Sequence, residues 1–246
     1  MINFLLLLLY VLLLMPFSTS LAMNNPEQFI VESGINSLIV MPETNHLVSV
    51  NNDILFTEKV SWLSLKAPSL YMVKAPKTPG FYEIATSHVK LGDGKLQLIV
   101  KTPIDTARVK QFNGYQLNSY PEPYKGFVKY NQPQGLIEIN KSLENHFLSN
   151  IVQIKDIMCK QRSEYPKYLL VDTQGLKMLN QLYKYLLARG LKFSRFSFIS
   201  GYRTPYYNHM IGNGKNSRHL YGDAFDLYID DNGDYRMDDI NQDGQQ

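Results

Sequence analysis

His219 and Asp226, in the stretch SRHLYGDAFD, set an imidazole and a carboxylate seven positions apart, and together they could hold a divalent metal ion. One imidazole and one carboxylate suit zinc, and a catalytic zinc normally takes three protein ligands plus water. The spacing excludes two simple geometries. On a single helix the pair would lie ~10.5 Å apart along the axis, and on one straight strand an odd separation puts them on opposite faces. Gly222 resolves the conflict, because a turn or bulge there lets His219 face back towards Ala224 and Asp226, which share one face of the strand that follows. Upstream, SGYRTPYYN places Gly201, Tyr202 and Arg203 directly after a predicted strand. A glycine there re-aims the chain, and the guanidinium then offers a fixed pair of donors for a carboxylate or an oxyanion. Each feature alone also has a plainer reading: a surface histidine near an aspartate, and an arginine in a surface salt bridge.

Together the two segments resemble the zinc D-Ala-D-Ala carboxypeptidase and dipeptidase family, family fifteen of the metallopeptidases. Its signature, Ser-x-His-x-x-Gly-x-Ala-x-Asp, is filled by Ser217, His219, Gly222, Ala224 and Asp226, and its Gly-Tyr-Arg by Gly201, Tyr202 and Arg203. The likeness runs over residues 120–246 through FVKY…LIEIN, CKQRSEYPKYLL and RMDDINQDG, and is closest to an envelope subgroup with an Asp-rich insertion. The resemblance implies a hydrolase acting on the D-Ala-containing stem peptides of bacterial peptidoglycan, in an α+β domain of the hedgehog/DD-peptidase kind. It implies zinc as cofactor, with His219 and Asp226 as two ligands. It also implies that Arg203 stabilises the oxyanion or holds the terminal carboxylate, with Ser217 and Tyr202 in the substrate site. The family's third ligand, a histidine, and its general base, a Glu or Asp, lie well downstream of the signature. The 20 residues after Asp226 contain neither His nor Glu, so the expectation is a truncated chain, inactive as written. His209, in the turn after Arg203, reads as a surface histidine, while His46, His88 and His146 belong to other regions of the chain.

The acidic stretch that follows has its own spacing. Residues 223–243 hold eight aspartates, with Arg236 as their single cation. Asp239, Asn241, Asp243 and Gly244 fit the first positions of a calcium loop, D-x-[DN]-x-[DN]-G, and Asp230, Asn232 and Asp234 repeat the oxygen spacing one step earlier. Calcium, or another hard cation, is one reading; a solvated acidic segment is the other.

The remaining sequence indicates what must position these groups. The chain has 246 residues, 44% hydrophobic and 19% charged, with a formal charge of +3. Its basic residues are dispersed, which gives no support to a nucleic-acid partner. Residues 1–22 carry no charged side chain, and the apolar run Phe4–Phe17 before Ser20-Leu21-Ala22 reads as a signal peptide. It is too short for a spanning helix, so the expectation is an exported protein, periplasmic or extracellular, with no membrane span once the leader is removed. Cys159 is the single cysteine and, in an apolar stretch, is expected to be a buried, inert thiol. Residues 23–117 read as a small antiparallel β-rich domain of sandwich-like kind, on the strength of LQLIVKT, SLYMVKA and PKTPGFYEIAT. Residues 118–135, with Pro121, Pro123 and Pro133, read as a linker. Residues 136–246 then form the α+β metallopeptidase-like domain. In it Asp172-Thr173 caps a helix to about Arg189, with Leu176, Leu179, Leu182, Leu186 and Leu187 on one face and Gly190 as its stop. A different class of function fits the same residues: a non-catalytic envelope module that binds wall peptides at Arg203 without cleaving them, or that binds calcium.

Overall fold

The computed structural model describes residues 28–30, 37–49, 60–64, 70–84, 96–239 and 244. The leader and the calcium-loop positions Asn241 and Asp243 lie outside the described residues. The architecture is mixed α+β, built from small sheets and few helices. No helix among the described residues is long and apolar enough to cross a membrane.

Two sheets come first. One has the order β1 (Gln28–Ile30), β3 (Asn45–Ser49), β5 (Leu70–Lys74), β4 (Ser61–Ser64); the other is β2 (Ser37–Val40), β7 (Leu96–Val100), β6 (Gly80–Ile84). Each holds one parallel pair, β1 with β3 and β2 with β7, so the expectation of an antiparallel region holds only in part. A parallel pair needs a long crossover, and everything from β3 to β6 lies between the two members of the second. The alternation signal does not reveal that pairing. β7 reads LQLIV and is buried along its whole length, because β2 and β6 flank it on both sides and a central strand is apolar on both faces.

The polar exception in β7 is Gln97. Its Nε2 donates to Ser37 Oγ and to the Phe147 carbonyl, both at 2.7 Å. Both amide hydrogens are thereby used, so its Oε1 is the acceptor facing His146 Nε2, and His146 carries its proton on that nitrogen. The His146 ring also meets Phe81 edge-on at 5.2 Å. One buried amide thus joins the early sheet to the segment that opens the C-terminal half.

A third, antiparallel sheet makes the same connection through the backbone: β14 (Lys167–Leu169), β11 (Gly135–Ile139) and β8 (Thr102–Pro103). Between β8 and β11 lies the hairpin of β9 (Gln111–Phe112) and β10 (Tyr115–Gln116). Its Asn113-Gly114 corner has φ of 47° and 83°, the left-handed pair that a two-residue hairpin turn requires. The proline-bearing stretch that follows buries Tyr120. Later come the hairpin of β12 (Phe147–Ser149) and β13 (Val152–Gln153), and that of β15 (Ser197–Ser200) and β16 (Asp226–Tyr228).

Three helices complete the described fold: α1 (Ile154–Ile157), α2 (Thr173–Ala188) and α3 (Pro205–Met210). Asp172 caps α2 as expected, accepting from Gln174 N at 2.6 Å, and Gly190 follows the helix at φ 92°. The buried stripe of α2 is narrower than its leucines imply. Leu176 and Leu179 are in the core and Leu186 packs against it as expected, whereas Leu182 and Leu187 are exposed; Asn180 and Tyr183 complete the inner face in their place. One continuous core runs from Leu38, Val73 and Leu98 through Ile137, Leu169 and Leu176 to Leu220 and Ile229.

Burial holds the His146 imidazole below its ordinary pKa. The unfolded chain therefore binds a proton at higher pH than the folded chain, and the contribution of His146 is complete above about pH 6.5. It is lost as pH falls from there through the folded-state value. We expect the unfolding midpoint to drop between pH 7.5 and 5.5, and a His146→Gln variant to drop less. Equal pH slopes for the two proteins would contradict this assignment.

Candidate functional site

The signature residues are placed by two close backbone approaches. Tyr202 N donates to the Ile157 carbonyl at 2.7 Å, which presses Gly201 so tightly on the end of α1 that a Cβ there would lie 2.6 Å from Ile157 atoms. Gly222 is the second. Its φ is 73°, and a Cβ would stand 2.5 Å from the Leu170 carbonyl oxygen, while its own carbonyl accepts from Asp172 N at 2.9 Å. Arg218–Tyr221 form one 3-10 turn that ends at Gly222. The chain then reverses into β16, whose first residue Asp226 stands opposite Ser200 of β15.

These constraints bring His219, Asp226 and Arg203 together. His219 Nε2 lies 3.4 Å from Asp226 Oδ2, and His219 Nδ1 lies 2.7 Å from the Gly201 carbonyl oxygen. A carbonyl only accepts, so Nδ1 bears a proton and Nε2 is the nitrogen that faces the carboxylate. Arg203 is anchored by Nε on Ser200 Oγ at 2.8 Å and extends Nη2 to Asp226 Oδ2 at 2.6 Å. Its backbone N also donates to the His219 carbonyl at 3.1 Å, which locks the two motifs to each other. Arg203, Ser217, His219 and Asp226 line an open cleft of about 670 Å³, closed on one side by Asn213–Asn216.

The donor set fits zinc in kind and in geometry. Atoms about 2.0–2.1 Å from a tetrahedral zinc lie ~3.3–3.4 Å from each other, which is the separation of His219 Nε2 and Asp226 Oδ2. The bond from Nδ1 to a backbone carbonyl is the usual support of a metal-ligating histidine, fixing tautomer and ring orientation. Among the described residues no group of three or more His, Cys, Asp or Glu is arranged to hold a metal. His209 is exposed on α3 and is not among the residues that line the cleft.

Tyr202 is a correction to the expected substrate contact. It is 1% exposed, and its hydroxyl is bonded to that of Tyr120 at 2.8 Å, so it supports the Gly201–Arg203 turn from below rather than lining the cleft. Burial, together with Tyr120, raises its pKa well above the ordinary tyrosine value, and the phenol stays protonated. Cys159 is buried beside Thr204, and burial raises its thiol pKa, consistent with an inert role. In the acidic stretch the side chains turn onto their own backbone. Asp230 accepts from the amides of Gly233, Asp234 and Tyr235, Asn232 from that of Asp234, and Asp239 from that of Gly244.

Three positioning residues escape sequence reasoning. Ser200 holds the Arg203 guanidinium, and the only hint is its place at the end of a strand before glycine. Arg218, at a variable position of the signature, pairs with Asp223 and donates to the Lys129 carbonyl at 2.6 Å. It also lies over the rings of Tyr130 and Tyr221, at 4.5 and 4.8 Å. Tyr120, from the proline-bearing stretch, reaches Tyr202 across 82 positions of sequence.

Residues 159–243 match the model of the family described as Peptidase M15. No curated protein and no solved structure matches the chain.

Gly222→Ala forces a Cβ onto the Leu170 carbonyl at a left-handed φ. We expect it to lower unfolding free energy by about 2 kcal/mol or more, read by urea denaturation. A loss below ~0.5 kcal/mol would show that this backbone contact is soft.

Proposed function

We infer, from the match of residues 159–243 to the peptidase M15 family model, that the chain is a zinc-dependent peptide hydrolase whose substrates are the D-Ala-containing stem peptides of peptidoglycan. The observation that carries the reading is the Nε2–Oδ2 pair of His219 and Asp226, set at zinc-ligand separation with the tautomer already fixed. The uncharged apolar leader supports export to the periplasm or beyond.

His219 and Asp226 are the residues that would hold the metal. The chemistry supplied by zinc in such a site is Lewis-acid polarisation of a peptide carbonyl and activation of water. The protein's own part is orientation. The Gly201 carbonyl holds the Nδ1 proton and aims the ring, and Ser200 anchors the guanidinium by its Nε. Arg203 meets the Asp226 carboxylate through Nη2 alone, and its Nη1 has no bond to a described residue; that nitrogen can donate to a substrate carboxylate or a developing oxyanion. Ser217, on the cleft wall, would contact the bound peptide.

The same geometry admits a second class of function, a wall-peptide-binding module that does not cleave, because Arg203 and the cleft suffice to hold a carboxylate. Zinc titration by calorimetry together with hydrolysis of a D-Ala-D-Ala-terminated peptide separates the two. With two metal-ligand candidates in place of the usual three, we expect weak zinc binding, any turnover to require added zinc, and His219→Ala to lower zinc affinity by ~10–100-fold or more and abolish that turnover. Peptide binding without turnover at any zinc concentration would replace the hydrolase by the binding module.

A further inference from the structure

A second hollow, of about 520 Å³, lies on the other side of the signature turn from the cleft. Leu38 and Ile39 of β2 and Leu170 and Val171 after β14 form its apolar part; Lys101 and Lys177 bring cationic groups to it, and Tyr221 closes it. Lys101 sits between β7 and β8, its backbone N bonded to the Val40 carbonyl at 2.9 Å, so its side chain is delivered into the junction of the early sheet with α2. Burial lowers the pKa of that amine, an effect opposed by the nearby carboxylate of Asp172. Asp172 is a poor full partner for it, because its Oδ1 already caps α2 by accepting from Gln174 N. Tyr221 is 7% exposed, and its buried hydroxyl has no hydrogen-bond partner. That hydroxyl is sealed from the hollow, and Asp172 adds a carboxylate to the lining, so Lys101 is the group that an entering anion would meet.

We propose that this hollow binds a small organic carboxylate with a compact apolar body, the carboxylate taking the Lys101 ammonium and the body lying on Leu38, Ile39, Leu170 and Val171. The α2 N-terminus is not the attraction, since Asp172 already satisfies it. The other charged or titratable linings are Lys177, on the second turn of α2, and His46, whose Nε2 bonds Thr44 Oγ1 at 2.7 Å; both favour an anion or are neutral towards it. Pockets with apolar walls and a few convergent polar groups are where small ligands bind, and a desolvated lysine holds a carboxylate more strongly than one in water. The site has a direct route to the signature. Tyr221 belongs to the turn that carries His219, and the Asp172 amide holds the Gly222 carbonyl. A ligand there stiffens the turn that positions the imidazole, independently of what the cleft itself does.

The carboxylate could come from a free branched-chain acid or from the last residue of a peptide. The probes are therefore 4-methylpentanoate and acetyl-Gly-Leu, each against its amide, with inorganic phosphate as an anion lacking an apolar body, all on the full chain. We expect one or both acids to raise Tm by about 3–6 °C at tenfold over Kd, and the amides and phosphate to leave it unchanged. The tighter acid identifies the source. Lys101→Met, which removes the ammonium but keeps the stem, should weaken acid binding at least tenfold; Tyr221→Phe, which removes a hydroxyl sealed from the hollow, should leave it unchanged. His219→Ala should bind the acid as wild type does, which separates this site from the cleft. Equal stabilisation by acid and amide, by phosphate alone, or undiminished acid binding by a folded Lys101→Met protein would overturn the proposal.

Discussion

The bond from His219 Nδ1 to the Gly201 carbonyl is the interaction on which the site depends. It joins two motifs that are 18 residues apart, decides which imidazole nitrogen carries the proton, and aims the other at Asp226. It exists because Gly201 has no side chain. With its backbone driven against Ile157, the turn brings the carbonyl beneath the histidine and releases Arg203 on the far side. A residue with a Cβ would lift that turn off α1, and both the tautomer and the guanidinium would lose their reference point. The chemistry of the cleft thus rests on a backbone contact at which no functional side chain is present.

Charge within the cleft follows the same economy. Among the described residues Asp226 is the one carboxylate lining it, and it is shared between the His219 imidazole and a permanently charged guanidinium. A cation arriving between His219 and Asp226 must therefore share Oδ2 with Arg203 or shift it, and the freed guanidinium is then directed at whatever anion enters with the metal. Ser200, by holding Nε, limits that shift to a swing about one anchored end.

Much of this was legible in sequence, for identifiable reasons. The convergence of His219 with Asp226 followed from an odd spacing interrupted by glycine, and the cap and stop of α2 from Asp172 and Gly190. What sequence withheld was pairing and depth. LQLIV announced a strand but not that its neighbours would be one parallel and one antiparallel, because side-chain period is the same in both. Leu182 and Leu187 looked like core, yet α2 meets its neighbours over a narrower arc than its leucines cover. Tyr202 looked like a substrate contact because it sits between two residues of the Gly-Tyr-Arg motif; only the distant Tyr120 shows that its phenol points inward. Such long-range partners leave no local periodicity to read.

The sheet β14-β11-β8 has a last consequence. β8 follows β7 after a single residue, so the strand that borders β11 is an extension of the early sheet, and Gln97 repeats that tie through a side chain. The family-matching segment from Cys159 onward therefore draws its floor, through β14 and β11, from chain laid down before it. Grafted onto another protein alone, it would bare Leu169, Leu176 and the ladder edge of β14 to water. The peptidase-like part is not a transferable cassette; what could be inherited or shuffled intact is the whole span from β2 to β16.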